Sequence, residues 1–509
     1  MKRRGDATIE MNRSGRLLGS LTTLLSGVVV SKVFGLVREL LLAFAFGTTY
    51  VADSFRIALS AVLIPTHLLT GEALFAAFVP SYKRLSGPAR VDLVRAVSTA
   101  ILLFGSLITV LLLLAAPLLV DVMAPGFDRQ AAELTAGLIR VAAVGVVLYA
   151  VSSLFINIQI AHEEYLTYSA RPAVQNVGIL AAVLAAYIWQ APILLGLGFV
   201  LAFLLMTVWS LSQVASSPLP LREALRPSLK WPRASSFDFL RAVGHLSFFV
   251  IVVQLSAVID RVVASLTGEG GVAAVEYAFF ITDSVRVLIA VPLATLVLGR
   301  LGGVEWRVAK EAAMRMLGPL LVFTLALSLF FYGTAYDVID LLYRRGEFQA
   351  TSTRLTSYAL QGFALGTWAS TSAYVLQRVF NATLRNREVA LAGSAGLMVN
   401  MVLDFLLYRP LGVFGIALAT SISSFVVLAI LLHRADFGLG QLVRVAVPML
   451  GLLIIVPVLQ NVPGRGWLSV TLASALTMLL TALACLVWPP LRRDMDWLLK
   501  RLFSARAGS

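Results

Sequence analysis

An all-α integral membrane protein of about fourteen transmembrane helices, arranged as two six-helix bundles plus two C-terminal helices, is the fold class this sequence predicts. Three observations predict it. The 509 residues are 59% hydrophobic and only 13% charged, against about 25% charged in an ordinary soluble chain. Apolar stretches of roughly 20–30 residues recur along the whole length, each long enough to cross a bilayer core of about 30 Å. The basic residues gather in alternate connections, as the positive-inside rule requires.

The apolar stretches fall at 17–46, 53–82, 92–120, 131–160, 167–188, 191–214, 238–266, 271–300, 309–336, 353–383, 388–408, 412–432, 441–460 and 467–489. The first follows Lys2, Arg3 and Arg4 and superficially resembles a signal peptide, but its length and internal charges predict a retained helix. Basic clusters at Lys83/Arg84/Arg90, Arg222/Arg226/Lys230/Arg233, Arg307/Lys310/Arg315 and Arg385/Arg387 alternate with connections such as 47–52 and 189–192 that carry none. Both termini are basic, so an even number of spans predicts both to be cytoplasmic. One exception is the segment Tyr343-Arg344-Arg345-Gly346-Glu347-Phe348, a basic connection that this topology puts outside.

The longest polar connection, 216–236, contains Pro218, Pro220, Pro227 and Pro232, which break a long helix. It predicts a cytoplasmic linker between a six-helix bundle at 1–215 and a second at 237–433, with 434–509 adding two helices and a basic tail. An echo between Phe155-Ile156-Asn157 at the end of span 4 and Val379-Phe380-Asn381 at the end of span 10 suggests a repeat of about six helices.

Several function classes are excluded. The net charge of +14 is distributed as membrane topology demands rather than as a nucleic-acid footprint. None of the six lysines follows a glycine, so no P-loop is present. The one cysteine, Cys485, and the four histidines build neither a disulfide nor a zinc motif. No soluble domain is large enough to house a glycosyltransferase. Transport driven by an ion gradient or by the membrane potential remains.

An ionisable side chain at the bilayer centre costs about 2.5–3.5 kcal/mol, so each should face protein or water. Span 1 carries Lys32 and Arg38, six residues apart around Gly35, followed by Glu39; the two cations could bracket a phosphate or snorkel to an interface. Span 2 carries Asp53, Arg56, Thr66 and His67. His67 could relay protons or serve as a hydrogen-bonded packing residue. On span 8, Asp283 and Arg286 stand at i and i+3, which permits an ion pair on one face; Arg286 could instead be shared with an anion, which guanidinium binds bidentately. Asn400 and Asp404 share a face of span 11, with Asp260 on span 7 and Thr420 on span 12. Such oxygen donors suit a small hard cation, or a network that ties helices together.

Several stretches resemble the MurJ/MviN family of lipid II flippases, within the multidrug/oligosaccharidyl-lipid/polysaccharide exporter superfamily. They are Ser31-Lys32-Val33-Phe34-Gly35-Leu36-Val37-Arg38-Glu39, Phe46-Gly47 with Ala52-Asp53-Ser54-Phe55, Ala77-Phe78-Val79-Pro80, Leu342 through Phe348, and Ser357-Tyr358-Ala359-Leu360. The resemblance implies a transporter, not an enzyme. It would flip an undecaprenyl-diphosphate-linked glycan, most often lipid II, across the bacterial cytoplasmic membrane by alternating access, with membrane lipids and cell-wall assembly proteins as partners.

The family's first-span cations fall on Lys32 and Arg38, lysine standing where the family has arginine. Two further family arginines fall at Thr66, beside His67, and near Phe280; Arg56 and Arg286 are the candidates to replace them. The implied substrate-binding set is therefore Lys32, Arg38, Glu39, Asp53, Arg56, Thr66, His67, Asp283 and Arg286. The family's sodium site, where found, falls on Asp260, Asn400, Asp404, Thr420 and the backbone oxygen of Ile416. The departures leave open another polyprenyl-linked glycan, such as an O-antigen or exopolysaccharide unit, and a cation-coupled drug exporter.

Overall fold

A computed structural model describes residues 27, 30–70, 72–215, 220–228, 254, 258–301, 304–437, 447, 449–455, 459 and 466–503. Most of the predicted span 238–266, and parts of the 216–236 linker and of span 441–460, lie outside the described residues. Among the described residues every regular element is a helix, and eight helices are long and apolar enough to cross a membrane. In lipid, a backbone must satisfy its polar groups within its own segment, which is why the apolar runs become helices. The chain divides into two compact units, Met1–Val262 and Val263–Ser509.

In the first unit, the helix over 30–46 stops where Gly47 takes φ +54, a conformation glycine adopts without Cβ strain. Thr49 Oγ1 donates to the Phe46 carbonyl at 2.7 Å, and the chain re-enters as Tyr50–Thr70. That helix packs on Arg129–Ala143, where Ser54 Oγ donates to the Ala131 carbonyl at 3.1 Å. Asp128 caps Arg129–Ala143 by accepting from the Ala131 N–H at 2.8 Å, satisfying one of the orphan donors of the first turn. Predicted span 4 is resolved into Arg129–Ala143 and Gly145–Ala161, and span 6 begins with a tight turn, Pro192–Gly196, before Leu197–Ala215. Tyr149 of Gly145–Ala161 packs on Phe203 of Leu197–Ala215 with ring centroids 4.6 Å apart, and Phe203 meets Phe199 of its own helix at 4.7 Å.

In the second unit the Ala350–Ala382 helix is central, packing against Gly271–Leu301, Trp306–Tyr343 and Asn386–Arg434. It is rich in small and hydroxyl residues, which allow backbones to approach closely. Its hydroxyls bond back to the preceding turn, Thr367 Oγ1 to the Phe363 carbonyl at 3.0 Å and Thr371 Oγ1 to the Thr367 carbonyl at 2.7 Å. These two hydroxyls therefore carry polarity into the unit with their donors satisfied within the helix.

Spans 11 and 12 run as Asn386–Arg434 with a break at Gly412, φ +56. Ser423 Oγ donates to the Gly396 carbonyl at 2.8 Å. A straight helix would separate those residues by about 40 Å, so the segment folds back into an antiparallel hairpin.

The Tyr343–Phe348 segment is a structured turn. Gly346 takes φ +59, Arg345 donates to the Leu342 carbonyl at 3.0 Å and Arg344 pairs with Asp340 at 2.8 Å. Tyr343 and Phe348, each 1% exposed, pack on Tyr277 with ring centroids 5.2 and 5.7 Å away.

The predicted echo between the ends of spans 4 and 10 has a structural counterpart. Both helices close with a residue in the left-handed region, Glu163 at φ 67 and Leu384 at φ 60. In both, the next N–H reaches five residues back, Glu164 to Gln159 and Arg385 to Phe380, each at 2.9 Å, the bond of a Schellman cap. The two asparagines do not superpose in that frame: Asn157 precedes its cap residue by two turns, Asn381 by one.

Candidate substrate and ion sites

The first cluster is held by three helices of the first unit. Glu39, 2% exposed, bridges two guanidiniums: its Oε1 accepts from Arg38 Nη2 at 2.5 Å and its Oε2 from Arg56 Nη2 at 2.6 Å. Asn176 Oδ1 accepts from Arg38 Nη1 at 2.9 Å, and Asn176 Nδ2 donates to the Ser31 carbonyl at 3.2 Å. The 30–46 helix is thus pinned to Leu166–Ile188 beside the charges. The triad of Arg38, Glu39 and Arg56 carries one net positive charge. Arg38, 22% exposed on its side chain, is its more accessible member.

Lys32 is half-buried on the same helix, one and a half turns before Arg38. Glu39, a candidate for touching substrate, is the carboxylate that holds the two arginines. Asp53 and Thr66 are packed away, 1% and 0% exposed, with Thr66 Oγ1 turned to the Val62 carbonyl at 2.5 Å.

His67 lies one residue on, half-buried. Its Nδ1 is 3.1 Å from Gln254 Nε2 and its ring centroid 5.9 Å from that of Tyr149. Arg171 covers the same tyrosine ring at 5.4 Å. The site reading of the sequence missed Arg171; its signal was a cation four residues into span 5.

The second cluster belongs to the second unit. Arg286 Nη2 pairs with Asp283 Oδ1, which realises the ion pair that the i, i+3 spacing permits. The Arg286 guanidinium lies 5.5 Å from the Tyr374 ring centroid and that of Arg378 4.8 Å, with Arg378 Nη2 donating to the Tyr374 hydroxyl at 2.9 Å. Arg378 also went unread as a site residue. Beside this cluster opens a cavity of about 270 Å³ whose wall includes Asp283, Arg286, Tyr374, Gln377 and Thr420.

The third cluster sits in the hairpin of spans 11 and 12. Asp404 is 0% exposed and Asn400 5%; the Asn400 amide donates to Asp404 Oδ2 at 2.7 Å. The hairpin register set by Ser423 and Gly396 brings Asn400 level with Thr420 and Asp404 level with Ile416. Thr420 Oγ1 donates to the Ile416 carbonyl at 3.3 Å. A carboxylate, an amide oxygen, a hydroxyl and a carbonyl are hard donors whose chemistry fits sodium. Asp260 lies in the first unit, half-buried.

Each unit thus holds costly charges within its membrane helices, the pattern of a multi-pass membrane transporter. Comparison with known proteins makes the class specific. The model of the lipid II flippase MurJ family matches residues 42–488. The chain belongs to that family, whose members are transporters rather than enzymes.

Among curated relatives, the probable lipid II flippase MurJ of Rhizobium tropici is 29% identical over 77% of this chain and 76% of its own length. The lipid II flippase MurJ of Burkholderia cenocepacia is 28% identical over 69% and 70%. Among solved structures, a lipid II flippase MurJ in an inward closed conformation superposes with a TM-score of 0.79 at 20% identity, covering 93% of this chain and 99% of that one. A multidrug-resistance MATE family transporter of the MOP superfamily, inward-facing, follows at 0.63 and 15% identity, over 80% and 93%. These likenesses establish the shared all-α membrane fold.

Proposed function

We propose that this chain moves a polyprenyl-diphosphate-linked glycan, lipid II foremost, from the cytoplasmic to the outer leaflet of the bacterial inner membrane by alternating access. The observation that carries the reading is the Arg38–Glu39–Arg56 triad, a net positive site in the membrane interior of a chain from the lipid II flippase family. Lys32 and the accessible edge of Arg38 meet the diphosphate, while Glu39 and Asn176 hold the guanidinium in place. The polyprenyl tail stays in lipid, so only the diphosphate and sugars need a polar route. Both termini lie in the cytoplasm, and cell-wall assembly proteins are the expected partners.

Sodium, the membrane potential or both reset the carrier, with Asp404 and Asn400 as the ion's first ligands and Thr420 and the Ile416 carbonyl as further members of its set. One elementary charge moved through 100 mV is worth about 2.3 kcal/mol, enough to bias the return step.

The substitution of lysine for the family's first arginine, and the absence of the family arginines at Thr66 and near Phe280, favour one second reading: a different polyprenyl-linked glycan. The test is complementation of cells depleted of their lipid II flippase, with membrane insertion checked. Growth rescued by the wild type and lost in Arg38→Ala supports lipid II; failure of the correctly inserted wild type overturns it and leaves the other glycan.

A further inference from the structure

The cavity of the second unit has a chemistry that the triad of the first does not share. Arg286 is neutralised there by Asp283, so the wall offers no net charge to a phosphate. It offers instead a guanidinium and a carboxylate side by side, one donating and one accepting, the combination that adjacent hydroxyls of a ring can satisfy together. Thr282, Thr367, Ser370 and Thr420 add hydroxyls, and Gln377 adds an amide. The hydroxyls of Thr282 and Thr367 already donate to carbonyls of their own helix, at 3.1 and 3.0 Å, so their oxygens face a ligand as acceptors.

Apolar faces complete the wall. Phe279 and Phe363 meet at 5.6 Å, and the Tyr374 ring is fixed by the guanidinium of Arg378. Rigid aromatic faces beside paired donors and acceptors suit a molecule with an apolar C–H face and a polar rim. At about 270 Å³ the space is smaller than the roughly 300–1,000 Å³ pockets that enclose drug-sized ligands. It takes one ring, not a whole headgroup.

We propose that this cavity is a subsite for a single pyranose ring of the translocated glycan, which makes Tyr374 and Gln377 specificity-determining residues. The inference rests on the transport reading above and extends it from the diphosphate to the sugar.

The test uses the purified full chain in detergent micelles and two probes: a polyprenyl diphosphate without sugar, and the same lipid carrying one hexose or aminosugar. The wild type should bind the glycosylated probe more tightly. Gln377→Ala and Tyr374→Ala should each weaken the glycosylated probe about tenfold, the cost of a polar group lost from its partner. Both should leave the sugar-free probe unchanged, which also reports that the variants are folded. Equal weakening of both probes, or no weakening of either, overturns the sugar subsite while sparing the transport reading. Binding of neither probe by the wild type overturns both.

Discussion

Glu39 sits between two guanidiniums with 2% of its side chain exposed, and its removal is not equivalent to removal of the whole set. Deleting one partner from a buried ion cluster leaves an uncompensated charge and costs about 3–5 kcal/mol, whereas replacing partners together is often close to neutral. Glu39→Gln is therefore expected to destabilise the protein by about 3 kcal/mol in denaturant titrations in detergent. The double variant Glu39→Gln/Arg56→Met should recover most of that loss. Simple addition of the two single losses would show that the triad is not a coupled unit.

The arginines were legible in the sequence because a charge within an apolar run has a cost that demands explanation. The bridge was not: Arg38 and Glu39 are neighbours in sequence, about 100° apart around a helix, so nothing in their spacing announces a shared contact. The contact exists because Arg56 and Asn176 arrive from two other helices. Arg171 and Arg378 went unread because a cation near the end of a span is ordinarily taken to snorkel; only the rings of Tyr149 and Tyr374 beneath them give them a fixed place.

At the scale of the element, the close fit of the central helix of the second unit rests on what its small residues leave out. A Cβ at Gly366 would collide with the backbone of Ser421, while one at Gly393 would meet nothing within 4 Å among the described residues. Gly366→Ala should thus force the helices apart, at about 1–3 kcal/mol as overpacking. Gly393→Ala should be neutral or stabilising by up to about 1 kcal/mol, since alanine is the better helix former. Thermal unfolding of the two variants in the same detergent separates the effects, and equal losses would refute the packing argument. The existence of these helices could be read from apolar length alone, because the bilayer sets that length. Not every break could. The break at Gly412 fell at the predicted boundary between spans 388–408 and 412–432, whereas the division of span 4 between Ala143 and Gly145 depends on tertiary packing, which hydropathy does not encode. The echo between spans 4 and 10 marked a shared helix cap but misjudged its register by one turn.

For the whole molecule, the remaining question is what drives the cycle, and the buried Asp404 offers a way to separate two forces. An ion can shift a carrier between states only if it binds one of them more tightly; a membrane potential acts on any charge that moves, whether or not an ion is bound. With Asp404 fully buried and bonded to Asn400, an ion bound there would be gripped by a carboxylate that Asp404→Asn removes at nearly constant shape. In proteoliposomes, replacing sodium by choline should slow wild-type flipping of a fluorescent lipid II. An imposed potential of 100 mV should speed it by up to roughly fiftyfold per charge moved. Asp404→Asn should lose the sodium response and keep the response to potential. A variant that still answers to sodium would remove Asp404 from the ion site, and one that answers to neither would mean that Asp404 is needed for the conformational cycle itself rather than for its coupling.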